Sequence, residues 1–260
     1  MLPSIFHFVR IIGKWRMVWN ERDGMGFENL LVQLKLLSQK SKPGYKEGMA
    51  RFGISSENAL GIPVPELRKL AKTSGKDHSA ALRLWKQNIH EAKLLASMID
   101  DPKLVTEQQM DEWVNDFYSW DVCDQCCSNL FDKTPFYKNK IFEYVKSEKE
   151  FVRRAGFVLM ATSAVHDKKA DNTQFLSYFP VIEKYVTDER NFVKKAVNWA
   201  LRQVGKRNIV LHNEAVKLAT RLKNTKSETG NKKSATARWI GSDALRELED
   251  QKIIKRIKKK

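Results

Sequence analysis

Trp120 and Asp124 stand four residues apart. On a helix that spacing sets an indole and a carboxylate on one face, about a turn apart. Such a pair can hold a cation, because the ring offers its π face and the carboxylate its charge. The same spacing also fits a core tryptophan beside a surface ion pair. Asp121 points roughly 100° away and is expected to serve the helix N-terminus. Further along, Arg154 and Lys195 occupy equivalent places in two similar segments, and Trp199 lies one turn beyond Lys195. If these helices line one face, Trp120, Asp124, Arg154, Lys195 and Trp199 converge on a strip. Basic residues interleaved with tryptophan suit a nucleic-acid backbone, phosphates to the cations and sugar or base to the rings. Two core tryptophans fit the pattern equally well.

Other chemistries find little support. Cys123, Cys126 and Cys127 contain a C-x-x-C spacing. None of the five histidines (His7, His78, His90, His166, His212) makes a pair suited to completing a zinc site with it. A thioredoxin-like motif needs a preceding strand, and the pattern here is helical. The cysteines are therefore read as small residues packing a helix. Clustered within five positions, they cannot staple a secreted fold, which points to a reducing compartment. No Walker loop, HExxH, GxSxG or GxGxxG occurs, so nucleotide hydrolysis, zinc proteolysis and dinucleotide redox are unsupported.

The elements that must position the strip are helices. Gly and Pro together make 19 of 260 residues, too few for the frequent turns of a sandwich or barrel. Phe27, Leu30, Leu31, Leu34 and Leu37 mark one amphipathic helix, closed by Ser41-Lys42-Pro43-Gly44. Periodicity predicts helices over about 66–74, 78–88, 90–100, 107–117, 120–131, 136–147, 150–163, 172–186, 190–205 and 211–223, with no convincing strand. Residues 225–234 read as a loop, and Ser242 and Asp243 as the cap of a last helix. Glu150-Phe151-Val152-Arg153-Arg154-Ala155 matches Asn191-Phe192-Val193-Lys194-Lys195-Ala196 at a period of 41. That period in an all-helical chain predicts an α-solenoid of stacked helix pairs with a concave basic face.

Charge supports a polyanionic partner. The net charge is +16, and the segment from Asn191 to Lys260 carries 19 basic against 6 acidic residues. Such a field favours nucleic acid first and an anionic membrane second, and makes the encounter salt-dependent. At the start of the chain, Leu2–Val9 is too short to span a bilayer. Ile5, Phe8, Val9 and Ile12 recur at helical spacing, so 1–24 is expected to be an amphipathic helix or a dispensable leader ahead of Met25. The domain plan is thus a leader over 1–24, a repeat domain over 25–224 and a basic extension over 225–260.

Four pieces together carry a resemblance to a known family. They are Leu60-Gly61-Ile62-Pro63-Val64-Pro65-Glu66-Leu67-Arg68, the Trp120-x-x-x-Asp124 pair, Arg153-Arg154-Ala155, and Phe192-Val193-Lys194-Lys195-Ala196-Val197-Asn198-Trp199-Ala200-Leu201-Arg202. Over about 27–224 the chain resembles the AlkD-like DNA alkylation repair glycosylases, which are built from HEAT-like repeats. The resemblance implies excision of N3- or N7-alkylated purines from duplex DNA by a monomer, without metal or nucleotide cofactor and without a membrane. It implies that Asp124 is the catalytic carboxylate, Trp120 and Trp199 the aromatic pair around the lesion, and Arg154 the active-site arginine, there to hold phosphates. Phe52, Arg153, Lys194, Lys195, Arg202, Lys206 and Arg207 are the expected DNA contacts. Phe52 stands where many members carry tyrosine, so a hydroxyl is missing. Some relatives lack the carboxylate and do not excise bases; this chain keeps it. Alternatives on the same scaffold are a protein that binds bent or branched DNA without excision, an RNA-binding repeat protein, or an adaptor for acidic partners. The expected location is the nucleoid in a bacterial cell or the nucleus in a eukaryotic one.

Overall fold

The computed structural model describes residues 8–11, 14–17, 25–226 and 234–259, the first two segments by their backbone alone. Those two form a small antiparallel hairpin, β1 (Phe8–Ile11) and β2 (Lys14–Met17), with Phe8 opposite Met17 and Ile11 opposite Lys14. The N-terminal helix expected from Phe8 and Val9 is therefore replaced by strands; Ile5 and Ile12 lie outside the described residues. Phe8, Val9, Ile11 and Trp15 favour strands, and the two residues between the runs are a hairpin spacing that outweighs the weak helical period.

The rest of the described chain is helical. In order it runs through α1 (Phe27–Gln39), α2 (Tyr45–Met49), a 3-10 turn (Ala50–Phe52), α3 (Val64–Ser74), α4 (His78–Trp85), α5 (His90–Ile99), α6 (Glu107–Asn115) and α7 (Trp120–Asn129). A second 3-10 turn (Phe131–Lys133) leads to α8 (Tyr137–Tyr144), α9 (Glu150–His166), α10 (Asn172–Leu176), α11 (Tyr178–Lys184), α12 (Asn191–Gly205), α13 (Ile209–Leu222), α14 (Ala235–Leu248) and α15 (Gln251–Lys258). Side-chain caps start many of them: Asp77 accepts from the Ala80 amide, Thr106 from Gln109, Asn208 from Leu211 and Ser234 from Ala237.

The helices stack as an α-solenoid. One row runs α3, α5, α7, α9, α12, α14, each packed on the next, with α4, α8 and α13 backing it in a second layer. The internal repeat is the stacking unit. Phe151 of α9 and Phe192 of α12 lie ring to ring at 5.4 Å, while Val152, Ala155, Val193 and Ala196 go into the core. Gly156 lets α9 touch α8, since a Cβ there would sit 2.5 Å from Val145 Cγ1. In the N-terminal half the core centres on Trp85 and Trp113, stacked at 3.9 Å. Cys123, Cys126 and Cys127 are buried free thiols in the same continuous core, as packing residues should be. No helix among the described residues is long and apolar enough to cross a membrane.

The C-terminal region departs from expectation. Ser242 and Asp243 lie inside α14, whose cap is Ser234. Ala237, Ile240, Ala244 and Leu248 are buried, and α14 packs on α12 and α13, so the packed body continues past residue 224. Asp250 caps α15, and Ile257 is buried.

Candidate functional site

Four elements meet around a pocket of about 590 Å³. Its walls are Arg51, Phe52 and Gly53 after α2, Trp120 and Asp124 of α7, Arg154 of α9, and Asn191, Phe192, Lys195, Trp199 and Arg202 of α12. Trp120, Asp124, Arg154, Lys195 and Trp199, expected to converge on a strip, all line this pocket. Both tryptophans are half-buried, and Trp199 also packs against the core.

Asp124 is gripped by Arg154. Nε of the guanidinium donates to Oδ1 at 2.9 Å and Nη2 to Oδ2 at 2.8 Å, while Nη1 donates to the Phe192 carbonyl. Both side chains are largely buried, 16% and 6% exposed. Burial pushes the Asp124 carboxyl above the ordinary aspartate range, opposed by the adjacent guanidinium. Burial would lower Arg154, but the carboxylate outweighs it and holds the guanidinium charged. Two of the Arg154 donors thus go to Asp124 and a third to the Phe192 carbonyl, which fixes the orientation of the carboxylate.

A second layer fixes the rim. The Trp120 indole N–H donates to the Phe52 carbonyl at 2.8 Å, tying the start of α7 to the 3-10 turn. Phe52 itself is 71% exposed, a ring held out over the pocket mouth. Gly53 has φ +71°, and a Cβ there would lie 3.1 Å from the Phe192 ring, so both conformation and space favour glycine. Glu91 accepts from the backbone amides of Leu60, Gly61 and Ile62 at 2.7, 2.7 and 3.1 Å, which anchors the loop leading into α3. His90 Nε2 lies 2.7 Å from Asp121, whose other oxygen accepts from Ser119. Burial would raise Asp121, yet His90 and Ser119 outweigh it and hold its carboxyl low.

The other expected DNA contacts divide. Lys195 lines the pocket and is exposed. Lys194 points along α12 toward α14, its ammonium 5.9 Å from the Trp239 ring centroid. Arg202 reaches the pocket but also pairs with Glu247, as does Lys206. Arg153 faces away, bonded to Asp188 at 2.7 Å and Glu148 at 2.9 Å and stacked over Tyr185. Arg207 donates to the carbonyls of Ala164 and Ala170 at 3.0 and 2.8 Å. Arg153 and Arg207 are thus joints between repeats, because their partners come from neighbouring helix pairs. Arg51, Gly53, Asn191 and Phe192 were not expected in the site. The glycine after a short helix, and the repeat register for Phe192, are the signals that could have found them. Among the described residues no cluster of His, Cys, Asp or Glu could hold a metal ion.

Stacked helix pairs with an aromatic pocket and a buried carboxylate–arginine pair define the class: a HEAT-like repeat α-solenoid. Within that class the chain belongs to the DNA alkylation repair enzyme family, whose pattern it matches over residues 33–248. That span includes α14, in agreement with its packing. A solved structure described as "a new family of proteins related to the HEAT-like repeat DNA glycosylases with affinity for branched DNA structures" superposes with a TM-score of 0.72. The match covers 90% of this chain and 96% of that one at 20% identity, a likeness of fold. No curated protein matches the chain.

Proposed function

We propose that the protein is a monofunctional DNA glycosylase of base excision repair, which hydrolyses the N-glycosidic bond of N3- and N7-alkylated purines in duplex DNA. The observation that carries this reading is a largely buried carboxylate, Asp124, held by Arg154 in one pocket with Trp120 and Trp199. An N3- or N7-alkylpurine is already cationic. When the C1′–N bond breaks, its electron pair goes to the base, which leaves neutral, and positive charge passes to the sugar. A pre-placed carboxylate stabilises that charge without reorganising and orients a water for attack at C1′. The two indoles pack against the deoxyribose and gain cation–π attraction as the charge develops. Arg154 keeps Asp124 ionised and aimed. Lys195 and Arg51, at the pocket wall, take the flanking phosphates, and the duplex lies along the α3-to-α14 row. A cationic leaving group needs neither metal nor nucleotide cofactor, and one chain suffices.

One observation favours a second reading, DNA binding without excision: both oxygens of Asp124 are already engaged by Arg154. A single experiment separates the two. The protein is incubated with duplex DNA methylated at N3 of adenine and N7 of guanine, and free base is assayed by chromatography. Release of methylated base supports the glycosylase. Tight binding with no release, at enzyme in excess over DNA, overturns it in favour of the binding protein.

A further inference from the structure

We propose that Trp239 and Lys194 form a second nucleic-acid station beside the pocket, which captures an unpaired base and its phosphate where a single strand leaves the duplex. The proposal rests on the DNA-binding part of the reading above and is independent of base excision.

The facing sides of α12 and α14 pair in rungs four residues apart. Lys206 and Arg202 meet Glu247, and Asn198 donates to Asp243 at 2.7 Å. One turn nearer the start of α12 the next rung is Lys194 against Trp239, where the pattern would place a carboxylate. That indole is 40% exposed and Lys194 only half-buried. The carboxylates nearby are taken: Asp243 by Asn198 and Arg246, Glu247 by Arg202 and Lys206. With Lys195 and Arg238 exposed on either side, the field at this rung is positive, which selects a polyanion over an acidic-patch or apolar protein surface.

The indole decides which polyanion. In an intact duplex each base hides its faces in the stack, so a protein meets phosphates, sugars and groove edges. An unpaired base presents a whole face, and stacking on an aromatic ring is the usual way such bases are held. The ammonium beside the ring is then placed for the attached phosphate. Lys195, the residue next to Lys194 on α12, lines the pocket, so the station begins one residue from the pocket wall. A strand frayed beside the pocket therefore reaches the station.

The test uses undamaged DNA, so that failure of base excision leaves its readout intact. Anisotropy compares the full chain binding a blunt labelled duplex and the same duplex with a five-nucleotide single-stranded overhang. The parent is expected to prefer the overhang, and Trp239→Ala to reduce that preference roughly tenfold. Trp239→Phe should retain most of it, because stacking needs a ring and not an indole. Lys194→Ala should lower the slope of log affinity against log salt by about 1 unit. Trp239→Gln, with melting compared to the parent, shows that any loss is not unfolding. An unchanged overhang-to-blunt ratio in Trp239→Ala, or an equal loss in Trp239→Phe, overturns the proposal. If Trp239 instead docks a protein, its variants leave every DNA affinity unaltered, with the same consequence.

Discussion

At the scale of single residues, Asp124 and Arg154 act as one unit, and substitutions should be judged in that light. Asp124→Asn is expected to slow base release by a hundred- to a thousandfold in single turnover, since one electrostatic group is typically worth about 3–4 kcal/mol in a transition state. DNA affinity should be equal or higher, because a carboxylate near phosphates opposes ground-state binding. The same change leaves the buried guanidinium of Arg154 short of a charge, so the variant should also lose about 1–3 kcal/mol of stability in denaturant. An unchanged rate in folded protein would remove Asp124 from the chemistry. The pH profile offers a second check. A carboxylate stabilises a cation only when ionised, and burial raises Asp124 above the ordinary range. The single-turnover rate should therefore fall as pH drops through a value higher than the roughly 3.9 of an exposed aspartate. An acid limb at or below that value would mean that Arg154 governs the group more than burial does.

At the scale of elements, the repeats are joined by ion pairs that the chain spends cations on. Burial alone would raise Asp188, but hydrogen bonds from Arg190 and Arg153 outweigh it and hold its carboxyl below the ordinary range. Its contribution is then fully present above the unfolded aspartate value and fades as pH falls through the lower folded one. Asp188→Asn should cost about 2–4 kcal/mol at neutral pH, by chemical denaturation, and the gap from the parent should narrow in acid. A cost independent of pH would mean that shape and not charge holds the joint. The place of α14 can be tested by sign. A Cβ on Gly241 would lie 2.4 Å from the Ala219 carbonyl oxygen. Gly241→Ala should therefore destabilise by about 1–3 kcal/mol and lower the melting temperature. In a solvated, detached helix the same change would gain up to about 1 kcal/mol.

At the scale of the molecule, the net charge of +16 is not all available to DNA. Arg153, Arg190, Arg202 and Lys206 are wholly or partly spent on internal carboxylates. The salt slope of DNA binding should accordingly be much shallower than the count of cations suggests. Removing Lys252–Lys260 deletes six basic residues, a ceiling of about 5 units in that slope at roughly 0.9 per contact. The drop should be smaller, because α15 is anchored by Ile257 and cannot turn every cation toward one duplex. An identical slope before and after truncation would assign the tail to another partner. The site as a whole combines a carboxylate–arginine pair with two indoles. It should release N7-methylguanine and N3-methyladenine but leave uracil and hypoxanthine untouched at equal enzyme concentration, because neutral bases leave poorly without an acid. Comparable rates on a uracil-containing duplex would rule out a mechanism based on sugar stabilisation alone.

What the amino-acid order determines by itself is whatever acts within a turn or two of helix. The apolar period and side-chain caps define most helices, the 41-residue echo announces stacking, and the four-residue spacing puts Trp120 and Asp124 on one face. Where two local signals competed, as at Phe8–Ile11, the order alone pointed the wrong way. Only the tertiary structure decides the distant partners, Arg154 with Asp124, Arg153 with Asp188 and Arg202 with Glu247, because these lie 30 to 45 residues apart. Arg153 and Arg154 are neighbours in sequence and about 100° apart around α9, so one reaches a joint between repeats and the other Asp124. Glu91, ordinary in sequence, anchors the loop into α3 through three backbone amides. Trp239 falls within the basic extension expected over 225–260, and it becomes part of the surface beside the pocket only because α14 packs on α12. A helix fixes the direction of a side chain relative to its own axis; what that side chain meets depends on how the next pair of helices is stacked.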